Sequence, residues 1–273
     1  MTKLLIYRED SKVVVINKEI SWILPVVDST EVEEIKHIAL EQLGFSIHTF
    51  GNKHGNILMA RRVFGDQKEG TKWFSLEEAS QLVGVSEAKL KKWVDEDIAY
   101  STKRQLELIQ KVFGEFDKEK VNIFLWGGWA VDFLVGHITR PHVDIDTLVW
   151  KKDKEKIRKI MENLGFSVQD KIRKFQNSYD GFQFDIDFVE PLGDEFISSQ
   201  SPQTKGLKWS KDTFSKTVDA KLNGVQVRVI NQKSLYSFTQ SKIKYYTRKI
   251  GQASGPVEKT KQDLLTLEKY LDL

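Results

Sequence analysis

The chain has 273 residues, enough for one large domain or two of ordinary size. Hydrophobic residues make up 40% and charged residues 30%, which fits a globular protein with an apolar core; the absence of cysteine excludes disulfides, thiolate catalysis and Cys-based zinc sites. Residues 1–117 carry 16 Lys and Arg against 19 Asp and Glu, whereas residues 118–273 carry 26 against 20, an asymmetry that fits two domains, the second facing an anionic partner or only bearing solvated lysine faces.

No apolar run reaches the ~18 residues of a membrane span. Lys3, Arg8, Glu9 and Asp10 interrupt the amino terminus too early for a signal-peptide core. A cytoplasmic protein with no membrane contact is expected.

The first half opens with β-rich runs at 3–8, 12–17 and 22–27. Thr30 and Glu33 form a capping-box pattern for a helix that stops at Gly44. Strands are expected at 45–50 and 56–64. Ser75 and Glu78 repeat the capping-box pattern and open helices through about residue 97. A separate helix over 103–113 then leads to a linker at 114–120.

The second half begins with a strand at 122–126 that breaks at Gly127 and Gly128. A helix follows from Trp129 to Gly136, then a strand at 143–150 and a helix at 153–164. Strands at 166–170, 172–178 and 182–189 come next. Asn223-Gly224 sets a tight hairpin between 218–222 and 225–230. Asn231 caps a helix through about Arg248, residues 251–256 form a loop, and 257–271 make the last helix.

Three features of this half carry chemistry. A strand, two glycines and a helix put bare N–H groups at a helix start, where the unpaired donors and the dipole favour an anion. The bland alternative is an ordinary turn. Asp144-Ile-Asp146 opens a strand, and alternation sends both carboxylates to one face with Cα atoms about 6–7 Å apart. Two such groups can share a divalent cation, and Mg2+ suits carboxylate and phosphate oxygens. Asp185-Ile-Asp187 repeats the geometry on another strand. If the strands are neighbours, the carboxylates repel unless a metal or proton intervenes; otherwise they are hydrated strand ends.

The run Trp126-Gly-Gly-Trp-Ala-Val-Asp-Phe-Leu-Val-Gly136, followed by Thr139-Arg-Pro-His-Val-Asp-Ile-Asp146, resembles the aminoglycoside and lincosamide nucleotidyltransferases of the polymerase β-like superfamily. The resemblance implies that Gly127 and Gly128 bind a nucleoside triphosphate, ATP above others. It implies that Asp144, Asp146 and Asp185 hold Mg2+, and that Asp185 takes the proton of an attacking hydroxyl. Asp187 is a further acid on the same face. Arg140 either neutralises triphosphate charge or braces its loop; His142 either orients the aspartates or caps the loop. Asp132 reads as a helix-surface acid bonded to that loop. Lys242 and Lys244 lie on a helix that can place a lysine on the phosphates, or are solvated. The implied acceptor is a hydroxyl of a small molecule of aminoglycoside or lincosamide type. RNA or protein acceptors, and a non-catalytic nucleotide-binding regulator, are the competing readings.

Residues 22–45 echo a Nudix domain through Trp22-Ile-Leu-Pro25 and Leu40-Glu-Gln-Leu-Gly-Phe45. Where a catalytic Nudix box needs Arg and Glu, the chain has His37 and Ile38, and of the closing acidic pair only Glu41 is acidic, beside Gln42. A degenerate, hydrolytically inactive domain is expected over 1–117. A competing reading takes 76–94 as a helix-turn-helix with Lys89, Lys91 and Lys92 on the second helix. The expected architecture is α+β: a Nudix-like α/β/α domain over 1–117, then a nucleotidyltransferase domain over 118–273 whose mixed sheet is flanked by helices.

Overall fold

The computed structural model describes residues 3–7, 13–15, 47–54, 57–62, 75–169, 174–177, 182–198, 208–250 and 255–272. The strand at 22–27, the helix opened by Thr30 and Glu33, and the box positions His37, Ile38, Glu41 and Gln42 lie outside these residues. The chain divides into two compact units, Met1–Arg104 with Asp180–Phe182, and Gln105–Tyr179 with Gln183–Leu273.

In the first unit, β1 (Lys3–Tyr7), β2 (Val13–Val15), β3 (Ile47–His54) and β4 (Ile57–Arg62) form a sheet in the order β2-β1-β4-β3. The β1–β4 pair is parallel and the others antiparallel. Helix α1 (Leu76–Val83) starts at a reciprocal capping box: the Glu78 amide donates to Ser75 Oγ at 3.1 Å and the Ser75 amide to Glu78 Oε2 at 2.8 Å. It stops at Gly84, whose φ of +74° is the left-handed conformation that closes a helix. Helix α2 (Glu87–Lys118) follows, and Leu90 and Val94 bury themselves against Ala79 of α1.

Helix α2 runs unbroken for 32 residues, so neither the expected gap before Lys103 nor the linker at 114–120 exists. The polar residues that suggested the gap are partly internal: Asp97, Ser101 and Gln105, spaced four apart on one face, are all buried.

The second unit is built on a nine-stranded mixed sheet. Its main path is β11 (Lys208–Ser210), β10 (Glu195–Ser198), β9 (Gln183–Leu192), β6 (Asp144–Trp150), β5 (Ile123–Leu125), β13 (Val225–Val229) and β12 (Val218–Leu222). Strands β7 (Phe166–Gln169) and β8 (Lys174–Asn177) extend it along the first part of β9, while β10 pairs with the last part. Strands β10 and β11 and the short helix α5 (Asp212–Ser215) are not among the expected elements. Asn223 and Gly224 both take positive φ, 49° and 85°, as the β12–β13 hairpin requires.

Helix α3 (Gly127–Val135) connects β5 to the segment before β6, and α4 (Lys154–Asn163) follows β6 after one tight turn. Helices α6 (Gln232–Ile250) and α7 (Gly255–Leu271) close the chain. Asn231 caps α6 by accepting from the amides of Lys233 and Ser234. Along β6 the pattern alternates as half-buried surfaces demand. Ile145, Thr147 and Val149 are fully buried, whereas Asp144 and Asp146 on the other face are partly open. Phe184, Ile186 and Phe188 do the same on β9. Each such aromatic or aliphatic side chain contributes roughly 1.5–3 kcal/mol on burial, enough to fix the register of the two acidic strands.

Candidate active site

Strands β6 and β9 are parallel, and their register sets Asp146 directly opposite Asp185. Asp144, two residues earlier on β6, shares the face. Their carboxylate oxygens lie within 4.8 Å of one another, and all three side chains are partly open. Asp187 sits one step along β9 opposite Leu148, on the same face but buried. It adds to the negative field on Asp146 rather than joining the three.

The glycine pair is held against this cluster. The Trp126 amide donates to the Asp146 carbonyl at 3.1 Å, fastening the end of β5 to β6. Helix α3 then begins at Gly127 itself, two residues earlier than expected, with no side chain capping its first turn. Gly127 has φ +70°, and a Cβ there would strike Asp146 Oδ2 and stand 3.0 Å from Asp146 Cβ and Cγ. A Cβ on Gly128 would strike Arg140 Nη2 and stand 2.8 Å from His142 Cε1 and Nδ1. Backbone donors at an uncapped helix start beside a carboxylate cluster suit an anion that arrives with a cation.

Lys242 of α6 reaches the same place. Its Nζ is 3.8 Å from Asp146 Oδ2 and 5.8 Å from the centre of the Trp126 ring. Lys244, by contrast, is exposed, as the solvated reading holds. Burial pushes the Asp146 carboxyl up to about 8, and Asp144, Asp185 and Asp187 push the same way against Lys242. Burial pulls the Lys242 ammonium down, but Asp146, Tyr246, Asp144 and Asp263 together hold it above the usual lysine range. Several carboxylates face one ammonium, so the cluster retains protons or takes up a cation.

Arg140 and His142 stand behind Gly128, not in the acidic cluster. Arg140 Nε and Nη2 donate to the two carboxylate oxygens of Asp263 on α7 at 2.8 and 2.9 Å. His142 Nε2 is 2.6 Å from Asp132 Oδ2, and the imidazole lies against the Trp129 ring with centres 4.5 Å apart. Burial, and then the Arg140 charge, lower the His142 pKa despite Asp132. With a carboxylate as its partner, Nε2 carries the proton and donates it to Asp132. The other Asp132 oxygen accepts from the Thr139 amide at 3.1 Å and hydroxyl at 2.5 Å. Asp132 does bond to the Arg140 loop, as its sequence position suggested, but it is fully buried rather than on the helix surface.

Sequence reasoning missed Asp263 and Gln105. Gln105 of α2 accepts from Trp129 Nε1 and donates to the His142 carbonyl, both at 2.8 Å. Neither residue has a local signal, because each acts across a long stretch of chain.

A carboxylate cluster against a glycine-opened helix end is an arrangement suited to a cation and an anion together. The family described as aminoglycoside-2''-adenylyltransferase matches residues 108–264. The chain belongs to that family. A 2''-aminoglycoside nucleotidyltransferase of Escherichia coli is 28% identical over 96 residues, which cover 35% of this chain and 48% of that protein. A lincosamide resistance protein of Staphylococcus haemolyticus is 28% identical over 107 residues, covering 37% of this chain and 65% of that one. The match thus spans about half the length of the E. coli relative. A crystal structure of ANT(2'')-Ia in complex with adenylyl-2''-tobramycin covers 62% of this chain and 90% of its own, with 19% identity and a TM-score of 0.48.

In the first unit, the lysines of the helix-turn-helix reading are balanced on their own helix. Lys91 pairs with Asp95 at 2.6 Å, Lys92 with Glu96 at 3.7 Å, and Lys89 lies over the Trp93 ring. That distribution gives a phosphate backbone little net charge to meet. Among the described residues, no helix is long and apolar enough to cross a membrane.

Proposed function

We propose that this protein transfers a nucleotidyl group, AMP from ATP, to a hydroxyl of a small-molecule acceptor of aminoglycoside or lincosamide type. The observation that carries the reading is the convergence of Asp144, Asp146 and Asp185 within 4.8 Å beside the Gly127–Gly128 helix start. Membership of the family supplies the chemistry to which such a convergence is suited.

In this reading the amides of Gly127 and Gly128 receive the triphosphate, and Lys242 neutralises part of its charge. The donor set is all carboxylate, which fits Mg2+, and Asp144, Asp146 and Asp185 would hold it. Bound Mg2+ supplies charge neutralisation at the attacking and leaving oxygens. Asp185 accepts the proton of the acceptor hydroxyl. That oxygen bonds to the α-phosphorus as the bond to the β-phosphate oxygen breaks, and pyrophosphate leaves. Asp187, buried farther along the same face, tunes the charge of the cluster, and Arg140 and His142 hold the helix start.

The transferase domain in this proposal comprises residues 118–273 together with the end of α2 from Gln105, and the residues before it form a Nudix-like domain without hydrolytic activity, acting in the cytoplasm where ATP is available. Support for the latter is a four-stranded mixed sheet in the first unit and a box in which His37, Ile38 and Gln42 replace metal-holding or metal-orienting residues.

The test is incubation with each nucleoside triphosphate and Mg2+ against aminoglycosides, lincosamides and tRNA, read by mass spectrometry. An adduct of one nucleoside monophosphate on an antibiotic hydroxyl supports the proposal. Modification of tRNA alone replaces the acceptor, and absence of pyrophosphate release with every triphosphate leaves a binding role instead.

A further inference from the structure

The segment from Thr139 to His142 lies between α3 and β6 and ends two residues before Asp144. The carboxy-terminal helix bears directly on it. Arg140 lays its fork across Asp263 with two bonds of 2.8 and 2.9 Å, both side chains almost out of solvent, at 12% and 9% exposure. Its third nitrogen, Nη1, donates to the Pro141 carbonyl at 3.0 Å. Gln262, next to Asp263, donates to the Thr139 carbonyl at 3.3 Å. The Nη2 that Asp263 holds is the atom occupying the place of a Gly128 side chain.

A bidentate guanidinium–carboxylate pair fixes position and plane together, which a point charge does not. With Asp263 as its counter-ion, Arg140 brings little net charge to a phosphate nearby. What it does bring is a rigid backing for the first turn of α3, against which His142 also rests. We propose that Asp263 is a positioning residue: through Arg140 it sets the Gly127–Gly128 helix start against the Asp144–Asp146 strand. This inference rests on the nucleotidyltransferase reading and adds to it that α7, far from the motif in sequence, completes the nucleotide site.

The test uses the full chain, with Mg-ATP binding measured by titration calorimetry and turnover measured as pyrophosphate release in the presence of tobramycin. Asp263→Asn and Arg140→Lys should each lower kcat on the order of 10-fold to 100-fold, as loss of an outer-shell partner does. Each should also weaken Mg-ATP binding. The double variant should be no worse than the worse single one, because both remove the same fork. If Arg140 instead acts as a free charge on the triphosphate, Arg140→Lys keeps its affinity and Asp263→Asn binds Mg-ATP more tightly; either result overturns the proposal. Should Asp263→Asn fail to fold, Asp263→Glu serves, since it keeps the charge and alters only the reach; normal kcat from it also overturns the proposal. A wild-type chain that neither binds nor turns over a triphosphate overturns the transferase reading and this inference with it. An active wild type with an indifferent Asp263→Asn variant overturns this inference alone.

Discussion

Asp146 and Asp185 face each other across the parallel β6–β9 pair, in register, with their oxygens within reach of a single ion. The sheet brings them together although 38 residues intervene, as the backbone-directed bond from Thr147 Oγ1 to the Asp185 carbonyl also records. Proximity of like charges on a half-buried face is unfavourable in the bare protein, and that cost is what a cation relieves.

Asp146→Asn should therefore remove most transfer activity while the fold survives. Loss of one electrostatic partner at a developing charge costs on the order of 100-fold or more in rate. The amide is isosteric and ends the repulsion with Asp144, Asp185 and Asp187. Pyrophosphate release together with a thermal melt in EDTA checks both halves. A variant with near-normal turnover would locate the chemistry elsewhere.

The same carboxylate makes the metal-free chain sensitive to pH. Burial first, and its acidic neighbours after, push Asp146 up to about 8 in the fold, against about 4 in an unfolded chain. Between those values the native state keeps a proton that the unfolded state has lost. Stability should then fall as pH rises through that window and level off above it. Melts in EDTA from about pH 5 to pH 9 should show the slope, and Asp146→Asn should flatten it. Added Mg2+ should stabilise more at the alkaline end, where the ligands are already deprotonated. Buried His142, whose pKa is lowered, adds an opposing slope at the acid end that both chains share, so a wild-type slope that Asp146→Asn leaves unchanged would refute the assignment.

Much of this site is legible in the sequence because its signals are local. Strand alternation puts Asp144 and Asp146 on one face, and two glycines before an apolar helix announce a close approach. Ser75 with Glu78, and Asn223 with Gly224, specify a helix start and a hairpin within four residues. Asp263 and Gln105 are invisible to such reasoning: one is 123 residues from Arg140, the other 37 from His142. The long helix α2 is hidden for a different reason. Its buried face in mid-helix is polar, through Asp97, Ser101 and Gln105, so a search for apolar periodicity finds a gap. Strand β10 is legible although the expected elements omit it: Gly193-Asp194, with Gly193 at φ +59°, is a two-residue turn that pairs Glu195 with Leu192.

Two glycines should respond to alanine with opposite signs. Gly128→Ala drives a methyl group to 2.8 Å from the His142 ring and into Arg140 Nη2, and both neighbours are pinned by carboxylates. Overpacking of this kind costs about 1–3 kcal/mol, and the shift should also weaken Mg-ATP binding. Gly114, near the carboxy-terminal end of α2, has open space where its side chain would be. Gly114→Ala should raise stability by about 0.5–1 kcal/mol, the helix-propensity difference, with activity unchanged. Denaturant midpoints for the two variants decide it; equal effects would mean that the Gly128 environment yields easily.

The last expectation concerns where the transferase half begins. A cut at residue 118, at the sequence-derived boundary, would remove the end of α2, which belongs to the second compact unit from Gln105 onward. Ile109, Val112, Phe113 and Phe116 of that stretch are all buried. At roughly 1.5–3 kcal/mol for each buried side chain, their loss rivals the 5–15 kcal/mol of total stability typical of a domain. The cut also discards Gln105, which ties the Trp129 indole to the His142 carbonyl and so braces the helix start and the segment ahead of Asp144. A fragment of residues 118–273 should consequently be poorly folded, whereas 87–273, which keeps α2 whole, should melt cooperatively and bind Mg-ATP. Circular dichroism melts of the two fragments, with nucleotide titrations, measure this directly. A 118–273 fragment that melts as sharply as 87–273 would show that the end of α2 contributes little to the second unit.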